Sequence, residues 1–327
     1  MIGPFVEDFG AAGDDPGDGT GTDDRAAFQA AFNASKVVFM SPAKTYRIHG
    51  PLYVPRFSQL VGLGLRSASE YWVSTGQTGA TRLAFTGSGD ACFSNQDTAN
   101  MLSHGGMRGF VMRAIGTYSR MMYFRDMVDW HMSDIGMQTD SLTTAGIVSE
   151  KIAFANPSWT NSLVNVSVRL PDNSDRRTLN IDWSDSNVER CHLTGGLGVL
   201  ERGYGTRFVN NQIERSKYVG LTIAKSGAIA NKNTVLIGNS FDANKTHGVM
   251  FDATGDTSGT RKFHTVVVGN NFRTCDPNTG VVAGTSIALV NPSGSSYSIG
   301  PVSSNVELCT GAAPYATVGP WTTPSTF

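Results

Sequence analysis

A six-residue pattern recurs through the middle of the chain and limits the folds it can adopt. Each frame has an apolar residue at both ends and often Asn at the fourth place or nearby. The frames are "WHMSDI" from Trp130, "LVNVSV" from Leu163, "VERCHL" from Val188, "FVNNQI" from Phe208, "LIGNSF" from Leu236 and "VVGNNF" from Val267. Successive frames start 33, 25, 20, 28 and 31 residues apart. These intervals are typical of one coil of a solenoid.

A second series of short apolar segments alternates with these frames. It consists of "LNID" at Leu179, "GVLE" at Gly198, "GLTI" at Gly220, "GVMF" at Gly248 and "SIAL" at Ser286. Each coil therefore contributes at least two strands, which stack in parallel on the next coil about 4.8 Å away. A repeated Asn suits a turn of such a stack, because it tolerates left-handed backbone and its amide can bond along the stack. A β-sandwich, which also has short strands, is the alternative.

Composition excludes several classes of protein. The 26 basic and 27 acidic residues of this 327-residue chain nearly cancel, so a nucleic-acid partner or an anionic membrane surface is not indicated. The segment "MIGPFVEDFG" has neither the basic nor the apolar region of a signal peptide, so we expect none, and no apolar run is long enough for membrane insertion. Cys92, Cys191, Cys275 and Cys309 lack zinc-site spacing and are expected to be buried thiols. We expect no metal and no cofactor.

The N-terminal segment "DFGAAGDDPGDGTGTDDRAAFQAAF" combines a polar loop with a short helix. Asp and Gly up to Gly21 supply turn geometry. Thr22 or Asp23 is placed to cap a helix, and the apolar residues Ala27, Phe28, Ala31 and Phe32 then recur at helical spacing. The pattern predicts one amphipathic helix from about Asp23 to Asn33.

This segment resembles the N-terminal part of the pectate-lyase-like superfamily of right-handed parallel β-helices. The likeness rests on DFGA, GDG and TDD followed by the helix, then "VVFMSPAKTYRI" and "LVGLG", in that order over about the first 65 residues. It implies an all-β fold, a right-handed parallel β-helix with a short N-terminal capping helix. Loop and helix would cover the open end of the solenoid, which makes the aspartates structural.

The resemblance and the repeats together suggest three regions. Residues 1–66 would form the N-terminal cap with the first strands, residues 67–292 the coils, and residues 293–327 a closing or trimer-contact segment.

The catalytic motifs of two groups in this superfamily are missing. Where polygalacturonases carry an aspartate pair, a histidine and an arginine, this chain has Gly195 and Gly196, Tyr204 and Thr222. The DPHE motif of the mannuronan epimerases is also absent. The chain looks more like a bacteriophage tailspike depolymerase, whose hydrolases use Asp and Glu from neighbouring coils.

Glycoside hydrolysis needs two carboxyl groups about 5 to 9.5 Å apart, a separation that adjacent coils provide. The first candidates are Asp182 and Asp185 in "IDWSD" and Glu201 in "VLERGYG". The expected substrate-binding residues are Trp183 as a sugar-stacking platform, Arg202, Tyr204, Arg207 and Glu214. Glu189, Glu214 and Asp242 are rival carboxylates.

A lyase of the same fold remains an alternative. Tyr204 or His247 would then act as the base, with Arg202, Arg207 and Lys225 neutralising a uronate.

Three functions therefore stay open after the sequence alone. The first is a phage tailspike-type depolymerase that cleaves bacterial surface polysaccharide (capsule, exopolysaccharide or O-antigen) by hydrolysis. The others are a polysaccharide lyase and a non-catalytic glycan-binding or structural tail module. Resemblance to tailspikes implies a homotrimer, with other phage tail proteins as further partners, located in the virion or outside the cell. Outward apolar residues such as Val128 and Trp130 would lie between subunits.

Overall fold

The computed structural model describes residues 3–63, 79–96, 101–150, 158–203, 205–227, 233–256, 262–274, 284–290, 297–309, 315–318 and 321–322. Within them the chain winds into coils of up to three strands, and every paired strand is parallel to its neighbour. Strands at the same position of successive coils form three stacks along a right-handed parallel β-helix. The expected fold class is confirmed.

The first stack contains Val37–Met40, Gln59–Gly62, Ser158–Trp159, Trp183–Ser184, Asn187–Glu189, Arg207–Val209, Val235–Ile237, Val266–Val268 and Val302–Ser303. The second contains Thr45–Ile48, Arg82–Phe85, His192–Thr194, Gln212–Glu214, Ser240–Asp242, Asn271–Arg273 and Val306–Glu307. Three long strands bend from the first stack into the second: Leu102–Ala114, Met127–Thr139 and Ser162–Arg169.

The third stack is a 10-stranded sheet. Its strands are Leu52–Val54, Ser88–Asn95, Thr117–Arg125, Ala145–Glu150, Leu179–Ile181, Val199–Glu201, Val219–Gly227, His247–Asp256, Thr285–Val290 and Tyr315–Val318. A smaller sheet beside the later coils joins Lys262–Phe263, Tyr297–Ile299 and Trp321–Thr322.

The interior is filled by columns of apolar side chains. Met122, Ile147, Leu179, Val199 and Leu221 follow one another in register on the third stack, and all are buried. Successive coils thus bury the same side of each strand, and one hydrophobic core extends from Val6 to Val302.

The N-terminal segment covers one end of this core, as the resemblance implied. A 3-10 helix, Val6–Phe9, precedes the α-helix Arg25–Ala34, which buries Ala27, Phe28, Ala31 and Phe32 against the first coils. The helix begins two residues later than expected, with Asp24 at its N-cap.

The aspartates of this segment are bonded to its own backbone. Asp15 accepts hydrogen bonds from the N–H groups of Gly17, Gly19 and Gly21, and Asp24 accepts from Ala12 and Gly13. They hold the loop on the end of the solenoid. No helix of the described residues has both the length and the apolar character needed to cross a membrane.

A ladder of buried asparagines marks the corner between the first and second stacks. Asn211, Asn239, Asn270 and Asn305 each lie three residues after a buried first-stack residue, as the frames predicted for the first three. In the first three, Nδ2 and the backbone N–H both donate to the Oδ1 of the next asparagine, 2.9 to 3.0 Å away. The residue before each asparagine has positive φ, at Asn210, Gly238, Gly269 and Ser304.

The earlier frames fit less closely. Cys191 replaces the ladder asparagine in its coil, and its N–H donates to Asn211 Oδ1 at 2.9 Å. Leu163 lies opposite Met132, so the frame that was assigned to start at Trp130 is displaced by two residues.

The cysteine expectation is partly wrong. Cys92 and Cys191 are free and buried, and burial raises the pKa of the Cys191 thiol to about 12. Cys309 is disulfide-bonded, and Cys275 lies outside the described residues.

We expect Asn239→Ala to destabilise the protein by about 3 kcal/mol, because it leaves buried N–H and C=O groups of neighbouring coils without partners. Urea unfolding followed by circular dichroism measures the change. Asn271→Ala is the matched control, since Asn271 is exposed on the next coil. Equal unfolding midpoints for the two variants would contradict a stabilising role of the ladder.

Candidate functional site

A groove follows the outer face of the third stack over the early coils. It consists of two adjoining depressions of about 300 Å³ and about 220 Å³, and Asp90 lines both. We call it the third-stack groove. Tyr53, Ser94, Tyr123, Val148 and Asn180 occupy the same outward position on five successive coils, and all of them line it.

Tyr123 lies at the centre of a network of charged side chains in this groove. The guanidinium carbon of Arg120 is 4.1 Å from its ring centroid, and Arg120 also pairs with Asp90. Arg125 donates from Nε to the Tyr123 hydroxyl at 3.2 Å. That hydroxyl donates in turn to Glu150 Oε2 at 3.0 Å. Burial raises the pKa of Tyr123, which keeps the phenol protonated as a donor.

Two residues with carboxylate side chains occupy neighbouring positions on adjacent coils at the end of these strands. Ser149 lies opposite Ile181 and the Asp182 N–H donates to Ser149 O, so Glu150 and Asp182 are neighbours in the stack. Arg202 follows on the next coil, where its N–H donates to Ile181 O, and its Nη2 lies 4.0 Å from Glu150 Oε1. Arg125 flanks Glu150 on the other side. Arg125, Glu150, Asp182 and Arg202 thus follow one another at the same register position on four successive coils.

Asp182 and Asp185, which the sequence placed together, lie on different faces. Asp182 is half-buried at the end of a third-stack strand. Asp185 is exposed, with φ 48°, at the corner that leads into the first stack. Of the two, the structure brings Asp182 next to the groove.

Glu201 and Trp183 do not lie on the surface at all. Both are fully buried, and Glu201 shares its inward position with Ile181 and Ile223. The Glu201 carboxylate accepts from Thr234 Oγ1 at 3.4 Å, and Trp183 donates from Nε1 to Ser149 Oγ at 2.8 Å. A polysaccharide on the outer surface reaches neither side chain. Glu201 therefore cannot be its catalyst, and Trp183 cannot be its stacking platform. Trp130, expected to face outward, is also fully buried.

The expected substrate-binding residues are dispersed. Arg202 joins the Glu150 column, whereas Arg207 is exposed on the first stack opposite Asn187. Glu214 lies on the second stack, where His192 Nε2 is 2.9 Å from its Oε1 and Gln212 donates to Oε2 at 2.7 Å. The hydrogen bond from His192 lowers the pKa of Glu214. Tyr204 lies outside the described residues.

The remaining candidates also lie away from the groove. Asp242 pairs with Arg273, and Glu189 pairs with Arg190. His247 Nδ1 is 2.8 Å from Thr285 Oγ1 on the next coil, and burial lowers the pKa of the imidazole. The side chain of Lys225 lies outside the described part of the chain.

No cluster of three or more His, Cys, Asp or Glu side chains able to hold a metal occurs among the described residues. The groove chemistry that the described residues offer therefore comes from carboxylates, guanidiniums and the Tyr123 phenol.

The sequence reasoning missed Tyr123, Glu150 and Arg120. A signal was available, because Glu150 is the first charged residue after the apolar segment "AGIV" of a third-stack strand. Aligning "IVSE" from Ile147 with "LNID" from Leu179 places Glu150 beside Asp182, but the 32-residue offset had to be known first.

No protein-family model matches this chain, and no curated protein matches it either. Solved structures do. The A-module of mannuronan C-5 epimerase AlgE6 from Azotobacter vinelandii matches with a TM-score of 0.59 and 17% identity over 98% of both chains. The tailspike of E. coli bacteriophage HK620, solved as mutant E372A with a pentasaccharide, matches with a TM-score of 0.62 and 12% identity. That match covers 96% of this chain and 64% of the tailspike.

A third match is the DFA-IIIase of Arthrobacter chlorophenolicus A6, with a TM-score of 0.58 and 11% identity over 98% of this chain and 93% of that one. At such identities the likeness concerns the backbone. The chain therefore has the right-handed parallel β-helix fold that tailspikes and carbohydrate-active enzymes share.

Proposed function

We propose that the protein is a tailspike-type depolymerase that binds bacterial surface polysaccharide in the third-stack groove and hydrolyses its glycosidic bonds. The observation that carries the proposal is the pairing of Glu150 and Asp182 on adjacent coils, at the end of an open groove. The fold shared with a tailspike that was solved with a pentasaccharide supports it. The substrate class comes from this likeness and from the N-terminal resemblance.

The surroundings of the two carboxylates suit different roles. Glu150 accepts a hydrogen bond from Tyr123 and faces Arg202, which together can hold a negative charge. Glu150 is therefore the base or nucleophile, and Asp182 the general acid that protonates the leaving oxygen. Their backbones are about 4.8 Å apart, which brings two carboxyl groups into the range that glycoside hydrolysis requires.

The rest of the groove offers sugar-binding groups. Tyr53 is 40% exposed and presents an aromatic face. Ser94, Ser119 and Asn180 supply hydroxyl and amide groups along the same surface. Such a line of contacts fits an extended glycan chain that crosses several coils.

An apolar strip on the outer face of the first stack supports a homotrimer. Val209, Val235, Ile237, Val266 and Val268 occupy neighbouring outward positions on three successive coils. Ile237 is 42% exposed. We propose that this apolar strip packs against two further copies in a virion-attached or extracellular trimer.

We expect Glu150→Gln and Asp182→Asn each to lower the rate of polysaccharide cleavage by about 100-fold or more, because each removes one proton-transfer group. New reducing ends released from capsular and O-antigen preparations measure the rate. Glu189→Gln is the control, since Glu189 lies on another face and pairs with Arg190.

The same assay decides between the alternatives. Full activity of both variants would refute the assignment of Glu150 and Asp182. Products that absorb in the ultraviolet as unsaturated sugars would establish a lyase instead. Retention on a glycan without any cleavage by the unaltered protein would favour the binding module.

We expect Tyr53→Ala to weaken glycan retention by about 5- to 10-fold, because one aromatic contact is worth about 1 kcal/mol. Affinity electrophoresis in gels that contain the glycan measures it. Tyr218→Ala is the control, because Tyr218 is 52% exposed and does not line the groove. Equal losses in the two variants would argue against binding in the groove.

We expect Ile237→Asp to convert the trimer into monomers, because it places a charge in the apolar strip. Light scattering after size exclusion measures the mass. Leu142→Asp changes a similarly exposed apolar residue in another part of the surface and should leave the trimer intact. A trimer that survives Ile237→Asp would exclude the apolar strip as its interface.

A further inference from the structure

Two columns of residues run side by side on the outer face of the first stack. The corner column has left-handed backbone at Phe57, His104, Asp129, Thr160 and Asp185, with φ between 48° and 60°. The strand column, two residues later in each coil, contains His131, Ser162, Asn187 and Arg207 in register. Neither column contributes to the third-stack groove.

Ser162, His131 and Asp129 form a continuous hydrogen-bonded chain in these columns. Ser162 Oγ lies 2.7 Å from His131 Nδ1, and His131 Nε2 lies 3.1 Å from Asp129 Oδ1. His104 Nδ1, on the preceding coil, lies 2.9 Å from the other oxygen of Asp129. The hydrogen bond from His104, more than that from His131, lowers the pKa of Asp129.

The direction of these bonds follows from the carboxylate. Asp129 can only accept, so His131 carries its proton on Nε2 and donates it to Asp129. With the proton on Nε2, Nδ1 is the acceptor for the Ser162 hydroxyl. This is the protonation pattern of a serine nucleophile with its general base and orienting carboxylate, although the two imidazole nitrogens have exchanged roles.

We propose that Ser162 is the nucleophile of a second active site, which hydrolyses carboxylic esters such as the O-acyl groups of saccharides. His131 is the general base and acid, and Asp129 is a positioning residue. His104 holds Asp129 from the opposite side.

The reaction balances with water as the only co-reactant. Ser162 Oγ attacks the ester carbonyl while its proton passes to His131 Nδ1. The tetrahedral intermediate expels the alcohol, which takes that proton from His131, and an acyl-serine remains. Water then attacks the acyl carbon and gives its proton to His131; Ser162 leaves with that proton, and the carboxylic acid is released.

The surroundings fit a catalytic role better than a stabilising one. The side chains of His131 and Asp129 are 58% and 44% exposed, so their hydrogen bonds contribute little to folding. Asn187 lies directly opposite Ser162 on the next coil and is exposed. Its amide is the proposed donor to the oxyanion. Trp159, 37% exposed, precedes the same strand and offers an apolar contact for a sugar or acyl group.

The test uses the full chain and p-nitrophenyl acetate as the probe. We expect Ser162→Ala and His131→Gln to lower the hydrolysis rate by about 100-fold or more. Ser133→Ala is the matched control, because Ser133 is a half-buried serine of the same stack that has a different register position. Asn187→Ala should lower kcat relative to the unaltered protein, on the order of 100-fold for the loss of an oxyanion donor.

A covalent probe separates catalysis from folding. A fluorophosphonate should label Ser162 in the unaltered protein, as identified by peptide mass, and label it far more slowly in His131→Gln. Asp129→Asn should lower kcat and the labelling rate while KM stays unchanged, which a purely structural residue would not do.

The outcomes also distinguish this site from the groove. Glu150→Gln should retain full esterase activity, and Ser162→Ala should retain polysaccharide cleavage. Unchanged ester hydrolysis in Ser162→Ala, or fluorophosphonate attached at other residues only, would overturn the proposal.

Discussion

The register between coils is the constraint on which the rest of the structure depends. Parallel backbone pairing alone allows a strand to slip, and a slip of one residue would turn every inward side chain outward. The asparagine ladder opposes such a slip, because each buried amide bonds both the backbone and the side chain of its neighbour. A displaced coil would leave these groups unsatisfied in the core. On the coils from Asn211 to Asn305 the outward columns are therefore as fixed as the inward ones.

The register between coils also determines which functional side chains lie next to one another. Residues far apart in sequence become neighbours at the coil spacing of about 4.8 Å. In this way Glu150 becomes the neighbour of Asp182 on the adjacent coil, and His131 becomes the neighbour of Ser162. Both candidate sites thus depend on the same alignment of coils, although they lie on different stacks.

The sequence predicted the repeating elements better than the direction of individual side chains. The fourth-place Asn of the frames identified the ladder, and the N-terminal motif identified the capping helix. Glu201 shows why the site was harder. In "VLE", charge suggests that Glu201 faces outward, yet the inward column takes Val199 and Glu201 and leaves Leu200 outside. Hydropathy cannot reveal which residues of this strand face the core. Their direction is set by the register with Leu179 and Ile181 on the preceding coil.

The positions of Asp182 and Asp185 indicate that the third-stack groove and the Ser162 site face different directions. Only two residues separate them, but the chain turns a corner between the third and first stacks. Asp182 belongs to the column of Glu150, and Asp185 to the corner column of Asp129. The two columns face different directions, so one glycan segment in the groove cannot also contact Ser162. An acylated polysaccharide would have to meet the two sites in separate binding events, and loss of one reaction should leave the rate constants of the other unchanged.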